Sequence, residues 1–201
     1  MEDPQKAFEK MAQAPAFLLL KQGVLHLGVW VLAFSLFAAS DSWAELTGWA
    51  VASLLNVLTG IIAGVVTVNL AHEWFHYLGA KLSSSTYTLK NTPGYFIFDW
   101  DFEKNDLRQF YAMSIGGTLG GALALMAVFN MVDANNAGRC ALIASAVASF
   151  AFASIIEWPV LARTRHSRNP QAELFKLSPS VLARAAAGGA IFGVAGWMLL
   201  V

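Results

Sequence analysis

Residues 51–80 read VASLLNVLTGIIAGVVTVNLAHEWFHYLGA, and the only side chains in this stretch that change charge near or below neutrality are His72, Glu73 and His76. As a helix the stretch is about 45 Å long, enough to cross a hydrocarbon layer of about 30 Å. Apolar sequence begins earlier, at Trp43, so an unbroken helix from there to Leu82 would measure about 60 Å. A break or interfacial lead-in is therefore expected near Gly48.

Four more apolar runs flank this one, at about 16–39, 107–132, 139–162 and 181–201. The first ends at the polar Ser40-Asp41-Ser42. The third in chain order, 107–132, carries Gly116-Gly117 and Gly120-Gly121, overlapping GxxxG patterns that let a helix backbone approach its neighbour. With 57% hydrophobic and 13% charged residues and a mean hydropathy of +0.54, the composition is that of an integral membrane protein. The expected fold is an all-α polytopic membrane protein, one domain over 1–201 with about five transmembrane helices. Residues 83–106 are the one substantial polar interruption. There Asn91-Thr92-Pro93-Gly94, flanked by Thr86–Leu89 and Tyr95–Phe98, predicts a short β-hairpin over about 86–102.

Thirteen basic and thirteen acidic residues cancel, leaving no basic excess for nucleic acid. The lone Cys140 excludes an intramolecular disulfide framework and reads as helix packing. No small-residue cleavage pattern follows the segment Met1 to Lys10, so the first span is expected to be retained. With a cytoplasmic N-terminus, the inner segments hold Lys6, Lys10, Lys81, Lys90, Lys104, Arg108, Arg163, Arg165, Arg168 and Lys176, while the outer turns hold only Arg139. That asymmetry follows the positive-inside rule, and compactness together with this pattern suggests a bacterial inner membrane, with a eukaryotic organelle membrane as the alternative.

His72-Glu73-Trp74-Phe75-His76 is an HExxH motif. On a helix it stacks two imidazoles one turn apart with a carboxylate about 100° round, the arrangement of a hydrolytic zinc site. A catalytic Zn²⁺ needs a third protein ligand. Glu157 precedes Arg163 by about 9 Å of helix, and His72 and His76 precede Lys81 by about 14 and 8 Å, so all three share one layer near the cytoplasmic side. Trp158-Pro159 suits a helix end or kink that would turn this carboxylate inward. Asp99 and Asp101, on one face of the second hairpin strand, compete as ligands, and a solvated strand edge explains them too. His26 or Arg163 could instead pair with Glu157. His166 lies in a basic loop where an exposed imidazole needs no special role.

From about Thr67 to Pro159 the chain resembles the site-2 protease family of intramembrane zinc metalloproteases. His72-Glu73-Trp74-Phe75-His76 matches its helix motif, Thr86–Phe102 its hairpin, and Ser114–Gly121 its small-residue helix. Ile155-Ile156-Glu157-Trp158-Pro159 stands where that family usually presents an aspartate in an Asn-Pro-Asp-Gly or Leu-Asp-Gly setting. The resemblance implies a metalloprotease with Glu73 as general base, Zn²⁺ on His72, His76 and an acidic residue, and a membrane-protein substrate or signal peptide laid along Tyr95, Phe96, Ile97 and Phe98. The sequence also admits a membrane zinc hydrolase of a lipid or small amide or ester, or a non-catalytic metal-binding scaffold.

Overall fold

Gly48 divides the long apolar run. It sits in the left-handed region at φ 64°, where its N–H donates to Ala44 O and closes α1, Pro15–Thr47. In order along the chain follow α2 Ala50–Leu82, β1 Tyr87–Leu89, β2 Phe98–Trp100, α3 Leu107–Met131, α4 Ala137–Ser167, α5 Pro170–Leu174 and α6 Pro179–Leu200. This computed structural model describes residues 13–200. The expectation for Met1 to Lys10, and the last residue of the fifth span, lie outside the described residues. The helices α1, α2, α3, α4 and α6 are each long and apolar enough to cross a membrane.

Helix α2 is central, packed against α1, α3 and α4, while α6 packs against α4. The core between them is built from Val68, Leu142, Ile143, Ala63 and Ala146. Small residues bring the helices close: a Cβ on Gly116 or Gly120 would run into the α2 backbone at Phe75 or Ala71. A second cluster, Phe110, Val160 and Leu161, seats Trp100, Phe102 and Leu174, so the hairpin base and α5 are pinned to the ends of α3 and α4.

Three boundaries differ from the sequence reading. Helix α1 runs on through Ser40-Asp41-Ser42 to Thr47, because these polar groups are satisfied inside the bundle. Asp41 Oδ2 accepts from Arg139 Nε and Nη2 at 2.9 and 2.8 Å, and Ser40 Oγ lies 2.6 Å from Thr59 Oγ1. Helix α4 continues through Trp158-Pro159 and ends at Ser167, its C-cap Arg168 at φ 57°. Continuing the helix satisfies backbone that would otherwise be bare among apolar neighbours, at the loss of one hydrogen bond at proline.

The hairpin is the third difference. Its antiparallel strands are three residues each, in the register Tyr87↔Trp100, Thr88↔Asp99 and Leu89↔Phe98. Residues 90–97 form a long connection, so Tyr95, Phe96 and Ile97 are not strand residues; only Phe98 is. Alternation therefore fails as a guide here: Ile97 is buried, whereas Tyr95 and Phe96 are exposed.

Candidate metal centre

Three ligand-type atoms converge between α2 and α4. His72 Nε2, His76 Nε2 and Glu157 Oε1 lie 2.9 Å from one another in every pairing. Glu73 is buried beside them, and the ligand atoms of His72, Glu73 and His76 fall within 4.8 Å of one another. The helical period of α2 supplies both imidazoles on one side. The packing of α4 against α2 brings Glu157 to the same level.

Helix α3 supplies no ligand but shapes the rest. His76 Nδ1 lies 2.9 Å from Met113 O, and only an N–H can make that contact. Thr118 Oγ1 donates to Glu157 Oε2 at 3.2 Å and so orients the carboxylate. A Cβ on Gly117 would strike the His76 ring, and one on Gly121 would come to 3.6 Å from His72 Nδ1. The small-residue pattern on this helix thus makes room for imidazoles as well as for the α2 backbone.

These contacts test whether a cation fits. With the proton of neutral His76 on Nδ1, its Nε2 presents a lone pair toward Glu157 and His72. His72 can contribute at most one proton, so one hydrogen bond at most can form among three 2.9 Å contacts. Its Nδ1 is buried without a partner. With both imidazoles neutral, the converging lone pairs repel unless a positive ion sits among them. Two imidazole nitrogens and a carboxylate oxygen are the donor set of a three-ligand zinc site, and ligands at 2.0–2.1 Å in tetrahedral arrangement stand about 3.3 Å apart, close to the spacing observed.

The hairpin connection reaches the same region. Gly94 N–H donates to Gln22 Oε1 at 3.1 Å, and Gly94 O accepts from Gln22 Nε2 and from His26 Nε2, the latter at 2.8 Å. Trp74 Nε1–H donates to His26 Nδ1 at 3.0 Å, which fixes the tautomer that leaves the His26 Nε2 proton for Gly94. Gln22 and His26 are buried on α1, so the tip is clamped by α1 and, through Trp74, by α2. Next to the clamp, Tyr95 Oη donates to Asn69 Oδ1 at 3.2 Å and lies near Glu73. Burial, and then the charge of Glu73, push the Tyr95 phenol above its ordinary range.

The other candidates are engaged elsewhere. Asp99 pairs with Lys90 at 2.6 Å, and Asp101 pairs with Lys104 at 2.9 Å while accepting from the N–H groups of Glu103 and Lys104. Glu157 pairs with neither His26 nor Arg163, and Arg163 instead donates to Glu173 at 3.0 Å. His166 is exposed, and Cys140 is buried on α4. Sequence reasoning missed Thr118, the Met113 carbonyl, Gln22 and Trp74. The buried amide on an apolar helix was the available signal for Gln22; for the others no local signal exists. A cavity of about 160 Å³, lined by His76, Ser114, Glu157 and Leu174 among others, lies against the triad on the α5 side. No protein-family model matches the chain, and neither a curated protein nor a solved structure matches it.

Proposed function

We propose that the chain is an integral membrane zinc-dependent endopeptidase of the site-2 protease type, cutting a peptide bond of a membrane-embedded substrate near the cytoplasmic face. The observation that carries this reading is the triangle of His72, His76 and Glu157 with Glu73 alongside, on two helices apolar enough to span a bilayer. When bound, zinc supplies a Lewis acid that brings the pKa of a water toward about 7 and polarises a carbonyl. Glu73 accepts a proton from the attacking water as its oxygen bonds to the scissile carbonyl carbon. As the C–N bond breaks, Glu73 delivers that proton to the departing amine. Thr118 and Met113 O hold Glu157 and His76 in place throughout. The exposure of Tyr95 and Phe96 at the hairpin connection supports their contact with an unwound substrate; Ile97 is too deeply buried for it.

Metal analysis and activity together test the reading. Purified protein is expected to hold one zinc per chain, and His76→Ala and Glu157→Ala to lose it. Glu73→Gln keeps the zinc while cleavage of co-expressed single-span reporter proteins falls about 10²- to 10⁴-fold. Wild-type protein without metal, or full zinc in Glu157→Ala, overturns the site. Full zinc with reporters left intact, but with Glu73-dependent turnover of a lipid ester, replaces the peptidase by a lipid hydrolase.

A further inference from the structure

Two large cavities lie away from the histidines, side by side at the end of the α3–α4 seam, with volumes of about 680 and 570 Å³. They share Leu107, Arg108 and Arg168, so they form two arms of one groove. One arm is polar, lined by Asn105, Asn169 and Gln171. The other is apolar, lined by Tyr111, Ile115, Trp158, Leu161 and Ala162. Arg165 joins Arg108 and Arg168 along its edge.

The electrostatics of this rim are one-sided. Arg163 is paired with Glu173, but among the described residues Arg108, Arg165 and Arg168 form no ion pair. The carboxylate nearest in the lining, Asp106, caps α3 by accepting from Gln109 N–H at 2.8 Å. Arg165 and Arg168 stand three residues apart at the end of α4, and Arg108 is in the first turn of α3. From that level the apolar arm extends along both helices: Ile115 and Trp158 each lie seven residues, about 10 Å, further into the apolar part of the bundle. Both are exposed on its outer surface, at 43% and 53%. Tyr111 spends its hydroxyl on Leu161 O at 3.0 Å and leaves the arm only its ring.

We propose that this groove is a binding site for an anionic phospholipid, the phosphate on Arg108, Arg165 and Arg168 and the upper acyl chain along Ile115 and Trp158. A free phosphate would use the arginines but not the apolar arm. A neutral lipid would use the arm but leave three guanidinium groups without a counter-charge. Basic pockets between helices on the cytoplasmic side are suited to such headgroups. The proposal rests on the membrane reading but not on zinc or catalysis.

The test is quenching of tryptophan fluorescence by lipids brominated on the acyl chain, in protein reconstituted into phosphatidylcholine vesicles. Flotation with the vesicles comes first, and a chain that does not float overturns the membrane reading and this site together. In floated protein, brominated phosphatidylglycerol is expected to quench at lower mole fraction than brominated phosphatidylcholine. Trp158→Phe should remove that difference, which assigns it to the groove. Each of Arg108→Gln, Arg165→Gln and Arg168→Gln should weaken the preference about fivefold, with helix content by circular dichroism unchanged. Equal quenching by the two lipids, a preference that survives in Trp158→Phe, or its loss to inorganic phosphate but not to sodium chloride of equal ionic strength, overturns the proposal.

Discussion

His72 and His76 place their imidazoles together for a reason visible in four letters of spacing, but Thr118 and Gly117 act on them through a neighbouring helix. Thr118 donates to the oxygen of Glu157 that does not face the histidines, and Gly117 leaves the space that the His76 ring fills. Thr118→Val removes the orienting bond at nearly constant volume, so zinc affinity should fall about 10- to 100-fold in a competition titration with a chelator. Gly117→Ala should do at least as much, because the added methyl must displace the ring or part the helices. Unchanged affinity in both would show that α3 does not hold the ligands. Gln22 makes a different claim. Exchanging it for leucine strips Gly94 of two bonds, a loss of about 2 kcal/mol. Exchange of the Gly94 amide should then speed up about 30-fold with α2 unaffected, and exchange at the wild-type rate would mean that the clamp is not what holds the tip. The nearness of Glu157 to the histidines was legible by matching its depth to theirs. Thr118, the Met113 carbonyl and Trp74 were not, since nothing local distinguishes them from ordinary helix residues.

At the scale of elements, the spans were readable from apolar length while their ends were not. Ser40 and Asp41 look like an exit from the first helix, and Trp158-Pro159 like a stop to the fourth. In both places tertiary partners or the need to satisfy backbone carry the helix on. The hairpin was visible from its turn residues, yet its connection departs from two-residue periodicity because Gly94 is drawn onto α1. Helix α5 was invisible inside what reads as a basic loop. It is anchored by Glu173, which is buried and accepts from Lys176 Nζ at 2.8 Å and Arg163 Nε at 3.0 Å. The bond from Lys176, with further hydrogen bonds from Ser167 and Arg163, holds this carboxyl below its ordinary range. Since the folded value is the depressed one, the anchoring is complete above the unfolded value of about 4.3 and is lost as pH falls through the folded value. Exchange of the α5 amides should therefore accelerate on acidification below about pH 4, beyond the intrinsic pH effect on exchange. Glu173→Gln should show loosened α5 at neutral pH and no such transition. If wild type and variant respond to acid alike, Glu173 is not the anchor.

For the whole molecule, orientation decides which face of a membrane lies nearer the triad. Among the described residues, Lys81, Lys90, Lys104, Arg108, Arg163, Arg165, Arg168 and Lys176 gather at the end of the bundle that carries the hairpin and α5. At the opposite end, Arg139 is the one cation in the turn between α3 and α4 and the start of α4. Its guanidinium is committed to Asp41 at 2.8 Å and Glu45 at 3.1 Å. The charge that could resist translocation is thus almost entirely at one end, which the positive-inside rule assigns to the cytoplasm. The chain suits a cysteine-accessibility measurement because its single native thiol, Cys140, is buried. Cysteine in place of Asp133 should react with a membrane-impermeant maleimide in intact cells. Cysteine in place of Thr92 or Phe175, at the hairpin and just after α5, should react only after permeabilisation. Labelling in the opposite sense would move the candidate metal centre to the outer side, where its substrate would have to be presented from outside the cell. Labelling of all three positions in intact cells would mean that the chain does not span the membrane, and the depth argument that joined Glu157 to His72 and His76 would lose its basis.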